Sequence, residues 1–126
     1  MKYNNSKTVV DGITFDSKKE AKRYTVLKSL QDDGYIKDLK LQVPFELLPK
    51  GNGERSVRYI ADFTYYDVEK NINVVEDVKG FKTDVYKLKR KLFKYRYPEY
   101  TFIETWYGNI RNYVKISFHC LLTNQK

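Results

Sequence analysis

The chain has one cysteine, Cys120, and one histidine, His119, among 126 residues. An internal disulfide cannot form, zinc sites of Cys/His spacing are excluded, and so is catalysis by paired histidines. Any general base has to be a carboxylate, a lysine or a tyrosine. There is no apolar leader and no run of roughly 18 apolar residues, which predicts a soluble, cytoplasmic chain. Repeats, low-complexity tracts and linkers are missing as well, and the length suits one domain around one core.

What the chain has in excess is positive charge. Lysine and arginine outnumber aspartate and glutamate by 24 to 16, a net charge of +8, and 32% of residues are charged. Such an imbalance favours a polyanionic partner, nucleic acid foremost. Aromatic residues make up 16%, mostly tyrosine, which suits a β-rich core and offers stacking surfaces.

In chain order, residues 7 to 10 and 13 to 15 flank Asp11-Gly12, a strong two-residue turn signal, and predict a small hairpin. A first helix is expected over residues 17 to 33, stopped by Gly34. Ser17-Lys18-Lys19-Glu20 reads as a capping box, with Ser17 as the cap and Glu20 reaching back to its backbone N–H. At about 100° per residue, Ala21, Tyr24, Leu27 and Leu30 make an apolar arc with Glu20 near its middle. A carboxylate placed there costs free energy unless it is capped, paired or bound to a cation. Glu20 is therefore a candidate site residue as well as a candidate capping residue.

Residues 36 to 48 alternate, with Leu39, Leu41, Val43, Phe45 and Leu47 on one face, and predict a strand with one buried side. Pro44 marks an edge or a bulge, and Gln42 on the outer face is a further candidate. The turn-rich loop Pro49-Lys50-Gly51-Asn52-Gly53-Glu54-Arg55 leads to a second strand over residues 57 to 66. There Tyr59, Ala61, Phe63 and Tyr65 are expected on one face, with Arg58, Ile60, Asp62 and Thr64 on the other.

The third strand, Asn73-Val74-Val75-Glu76-Asp77-Val78-Lys79, ends at Gly80. Its period of two puts Asp77 and Lys79 on one face and Val74, Glu76 and Val78 on the other. A short turn through residues 67 to 71 would bring Asp62 beside Asp77. Two carboxylates so placed repel each other, and a hard cation such as Mg2+ relieves the repulsion. Such a cation stabilises charge on a scissile phosphate and lowers the pKa of water, while a lysine on the same face orients that water. Alternation selects Asp77 as the partner of Asp62; a bulge would select Glu76.

Thr83 or Asp84 caps a second helix that runs to residue 96 and is stopped by Pro98. Val85, Leu88, Leu92 and Tyr95 form its expected apolar stripe. Lys87, Arg90, Lys91 and Lys94 fall at i, i+3, i+4 and i+7 and make a cationic ridge that phosphates would neutralise, with Lys82 just ahead of it. Residues 100 to 107 and 111 to 122 read as two more strands. The expected order is hairpin, helix, three strands, helix, two strands.

In this order, and in Ala61-Asp62-Phe63 followed by Asp77-Val78-Lys79, the chain resembles the PD-(D/E)XK nuclease superfamily, with Ala61 where the motif has proline. The runs Phe15-Asp16-Ser17-Lys18-Lys19-Glu20-Ala21, Tyr59-Ile60-Ala61-Asp62-Phe63 and Val75-Glu76-Asp77-Val78-Lys79-Gly80 also resemble a family of small phage and prophage proteins of unknown function, thought to be nucleases of that superfamily. The likeness spans residues 7 to 105. It implies an α/β (α+β) fold with a restriction-endonuclease-like αβββαβ core, a mixed central sheet flanked by helices. It further implies a Mg2+- or Mn2+-dependent DNA endonuclease in which Asp62, Asp77, the Val78 carbonyl and Glu20 hold the cation and Lys79 positions the attacking water. Cleavage would leave a 5′-phosphate and a 3′-hydroxyl. By analogy with Holliday-junction resolvases the substrate would be double-stranded or branched DNA and the chain would work as a homodimer. The alternatives are a DNA-binding protein without catalysis on the same fold, and a phage factor that binds a host protein.

Overall fold

A computed structural model describes residues 7 to 79 and 81 to 106. The strand expected over residues 111 to 122 lies outside the described residues, as do Gly80 and the side chain of Lys79. The elements are β1 (Thr8–Val10), β2 (Ile13–Phe15), α1 (Lys18–Asp32), β3 (Ile36–Leu48), β4 (Val57–Asp67), β5 (Ile72–Lys79), α2 (Asp84–Arg96) and β6 (Tyr100–Trp106). Among the described residues no helix is long and apolar enough to cross a membrane.

Local chemistry accounts for where these elements begin. Asp11 and Gly12 sit at φ 53° and 75°, the left-handed pair that a tight hairpin turn requires. The Tyr24 hydroxyl then donates to Asp11 Oδ2 at 3.0 Å, tying the hairpin to α1. Ser17 Oγ accepts from the Glu20 N–H at 3.2 Å, and Thr83 Oγ1 accepts from the Tyr86 N–H at 3.1 Å. Each hydroxyl satisfies one of the orphan donors at a helix start. The loop after β3 is a tight hairpin tip, closed by reciprocal backbone bonds between Gly51 and Glu54.

The four-stranded sheet has the order β3-β4-β5-β6. Its first three strands are antiparallel, and α2 carries the chain across so that β6 lies parallel to β5. Pro44 stays in register opposite Ile60, with the irregularities elsewhere, between Lys37 and Lys40 and between Glu46 and Leu48. The residue is tolerated because β3 is an edge strand among the described residues.

Adjacent residues of β5 go to different cores: Val74 packs with Tyr24, Leu27 and Leu30 of α1, and Val75 with Tyr86 and Phe93 of α2. Successive side chains on a strand point to opposite faces, so the two helices cover the two faces of the sheet. This makes two clusters rather than one.

Two expectations from alternation fail here. Phe63 and Tyr65 join the α1 cluster, whereas Tyr59 and Ala61 of the same strand join the α2 cluster. The change occurs across Asp62. On β3, Leu39 and Leu41 pack with α1 while Val43, Phe45 and Leu47 pack with α2, and the residue between Leu41 and Val43, Gln42, has φ 53°. The left-handed Gln42 breaks the period of two in β3, and β4 changes side opposite it at Asp62, so neither strand keeps one buried face.

A further correction concerns α2. Its buried residues are Tyr86 and Phe93, with Leu92 half-buried, while Val85, Leu88 and Tyr95 are exposed. Phe93 meets the rings of Phe45, Tyr59 and Phe102 at centroid distances of 5.0, 5.4 and 5.7 Å. Rings bury more area than Val and Leu and pack edge to face, so the aromatic side of the helix turns inward.

Candidate functional site

The candidate site lies at the carboxyl ends of the parallel strands β5 and β6, where open sheets commonly bind ligands. Backbone pairing between β4 and β5 proceeds as far as Phe63 opposite Glu76. One step further Asp62 would face Asp77, but there the strands part. Asp62 fills the fork with its side chain, Oδ2 accepting from the Val78 N–H at 2.8 Å. A ladder bond between backbones is thus replaced by a carboxylate bond.

Asp77 is 2% exposed and lies on the face of β5 shared with Val75, toward α2. Tyr59 and Tyr86 stand over it. Burial first, then the charges of Asp77, Asp62 and Glu104, push the Tyr59 phenol well above its usual pKa. Burial and the bond to Glu104, reinforced by Asp77, do the same for Tyr86. Tyr86 donates to Glu104 Oε2. The Tyr59 hydroxyl makes no hydrogen bond of acceptable geometry to a described group.

Glu104 stands opposite Asp77 in the β5–β6 register. It accepts from the Tyr86 hydroxyl at 2.6 Å, from Arg90 Nη1 at 2.7 Å and from Lys82 Nζ at 3.2 Å. Burial works against its charge, but these three donors outweigh that and hold its pKa below the usual value. Lys82 and Arg90, two of the cations expected to face phosphate, are thus engaged within the protein. Lys87, Lys91 and Lys94 remain exposed, Lys94 with its Nζ 5.6 Å from the Phe102 ring centroid.

Glu76 does not belong to this site. It is completely buried on the α1 face, where Arg23 grips it through Nε to Oε2 and through Nη2 to Oε1 at 3.0 Å. The Tyr65 hydroxyl and Thr105 Oγ1 complete its shell at 2.7 and 2.8 Å. Burial opposes the Arg23 charge, yet the adjacent carboxylate more than offsets this and raises the guanidinium pKa. The bulge that would have turned Glu76 toward Lys79 is absent from the β5 pairings.

Glu20 is half-buried at the first turn of α1 and approaches Gln42, whose Nε2 donates to Glu20 Oε2 at 3.4 Å. Gln42 lies across from Asp62, between the pairs Leu41 with Phe63 and Val43 with Ala61. Glu20 thus reaches the Asp62 side of the fork through Gln42. The two residues also line a pocket of about 240 Å³ against the β1–β2 hairpin.

Among the described residues no three of His, Cys, Asp and Glu form a ready-made metal cage. For a hard divalent cation the donors nevertheless fit in kind. Mg2+ commonly takes one or two carboxylates and completes its shell with water and phosphate oxygens. Asp62 and Asp77 supply the carboxylates, and the buried Tyr59 hydroxyl is the sort of orphaned group that a bound water or ion satisfies.

Sequence reasoning missed Glu104, Tyr59 and Tyr86. Glu104 carried a faint signal, a carboxylate within the aromatic and β-branched run Tyr100–Trp106. The tyrosines carried none, because a tyrosine in a strand or helix is usually core. No curated protein and no solved structure matches the chain. A family model described as "Protein of unknown function (DUF1064)" matches residues 1–114, and the chain belongs to that family.

Proposed function

We propose that the protein is a Mg2+- or Mn2+-dependent DNA endonuclease of the PD-(D/E)XK kind, acting on branched DNA such as a four-way junction. The observation that carries this reading is the fork between β4 and β5. There the Asp62 carboxylate accepts from the Val78 N–H at 2.8 Å beside the buried Asp77, directly ahead of a helix whose exposed side bears Lys87, Lys91 and Lys94.

Asp62 and Asp77, with the Val78 carbonyl and Glu20, would hold the cation, which supplies charge stabilisation at the scissile phosphate and acidifies water. Asp62 is kept in place by its bond from the Val78 N–H. Lys79, the last residue of β5, orients the attacking water from its motif position. Exposed lysines of α2 grip the backbone of the duplex by charge. Water attacks phosphorus in line, the bond to the 3′-oxygen breaks, and that oxygen takes up a proton, leaving a 5′-phosphate and a 3′-hydroxyl.

A second reading, a DNA-binding module without catalysis, is favoured by the depth of Asp77 and by the lack of a three-acid cage among the described residues. One experiment separates the two. Labelled linear, nicked, flapped and four-way-junction DNA is incubated with Mg2+, Mn2+ or EDTA, using wild type, Asp62→Ala and Asp77→Ala. The nuclease reading expects metal-dependent cuts that both variants lose while still binding DNA. Binding with every substrate left intact would favour the second reading.

A further inference from the structure

The Tyr59 side chain is 3% exposed, and its ring is fixed between Phe45, Phe93 and Phe102 at centroid distances of 6.5, 5.4 and 5.9 Å. That packing needs only the ring. The hydroxyl is directed at the carboxylate end of the site, where Asp77 interacts with it, yet no hydrogen bond of acceptable geometry to a described group forms. A buried hydroxyl left unbonded costs free energy, and phenylalanine would have satisfied every ring contact. The ring contacts therefore do not account for the hydroxyl.

Asp77 and Asp62 both act on this phenol from the neighbouring positions of the fork, with Glu104 adding its charge from β6. The phenol has one O–H to donate in their direction. A buried donor among carboxylates has two uses: it steers a carboxylate oxygen, or it donates to a water held by a cation between them. Either use fixes the direction in which Asp77 presents its oxygens.

We propose that Tyr59 is a positioning residue of a divalent-cation site, its hydroxyl orienting Asp77 and the water beside it while the ring serves as core. This rests on the nuclease reading for the identity of the ligand, a hard cation, and adds a residue that the Asp and Lys motif does not contain.

The test is Tyr59→Phe, which keeps the ring and removes one oxygen. Wild type and variant are titrated with Mn2+ by calorimetry, without DNA, and melted in EDTA and in excess Mn2+. The expected result is a melting temperature in EDTA equal to or above that of wild type. Mn2+ affinity should fall by about 10-fold or more, as for other groups that orient metal ligands, and the Mn2+-induced rise in melting temperature should shrink accordingly. Equal Mn2+ affinity in the two proteins overturns the proposal, whether or not the variant is less stable in EDTA. Wild type that binds no Mn2+ overturns both this proposal and the nuclease reading. Wild type that binds Mn2+ more tightly than Tyr59→Phe but leaves all DNA intact supports the cation site and counts against the nuclease alone.

Discussion

Glu76 and Asp77 are consecutive residues of β5, and their side chains serve opposite halves of the protein. Glu76 closes onto Arg23 of α1, and Asp77 faces Tyr59 and Tyr86 on the side of α2. One carboxylate is neutralised by a guanidinium and two hydroxyls, the other stands among tyrosines at the fork of the sheet. The same peptide thus holds a structural acid and a candidate functional one.

The Arg23 and Glu76 pair gives the sharpest stability test. Replacing Arg23 by leucine leaves a buried carboxylate uncompensated, a change that typically costs about 3–5 kcal/mol. The double change Arg23→Leu with Glu76→Leu should cost clearly less than the sum of the two single changes, because no charge is then stranded. Urea denaturation of the four proteins measures this, and additive single costs would contradict the pairing.

The orientation of α2 can be checked in the same way. Phe93→Ala removes a fully buried ring at the centre of the α2 cluster and should cost about 3–5 kcal/mol. Leu88→Ala alters an exposed residue and should stay within about 0.5 kcal/mol of wild type. Comparable losses would mean that Leu88 is packed after all.

Glu104 predicts a pH dependence. Its folded pKa is lowered from 4.5, so it contributes stability above that value and loses it as pH falls through the lower, folded value. Glu104→Gln should accordingly be less stable than wild type at neutral pH. The gap should close as pH drops below about 4.5, where the wild-type carboxyl also gains its proton. Urea midpoints taken across that range decide it; a gap that stays constant would remove Glu104 from the acid response.

The basic helix predicts a difference between its cations. Lys87 and Lys91 are exposed, whereas Lys82 and Arg90 already pair with Glu104. Changing Lys87 and Lys91 to alanine should lower the slope of log binding constant against log salt by about 2, close to 0.9 per lost phosphate contact. Changing Lys82 and Arg90 should lower it less. Fluorescence anisotropy of labelled duplex over a salt series reads both slopes, and a slope untouched by the first pair would rule out this face.

Much of the architecture was legible in residue order alone. Asp11-Gly12, Ser17, Gly34 and Thr83 mark turns and caps through bonds made within a few residues, so the two helices and the order of strands followed from local chemistry. The fork carboxylates Asp62 and Asp77 were legible too, since alternation along β5 decided which of two adjacent acids faces away from Val74. Only the tertiary structure could decide the rest. The left-handed Gln42 and the parting of β4 from β5 at Asp62 redistribute strand side chains between two cores, and no period of two contains that break. The inward face of α2 went to Phe93 because the sheet offered it aromatic partners from β3, β4 and β6, and to Tyr86, whose hydroxyl bonds Glu104 of β6, all far away in sequence. Arg23 for Glu76, and Glu104 for Lys82 and Arg90, were chosen in the same way. A buried charge takes whichever opposite charge the fold brings within reach, and that is set by long-range packing rather than by spacing along the chain.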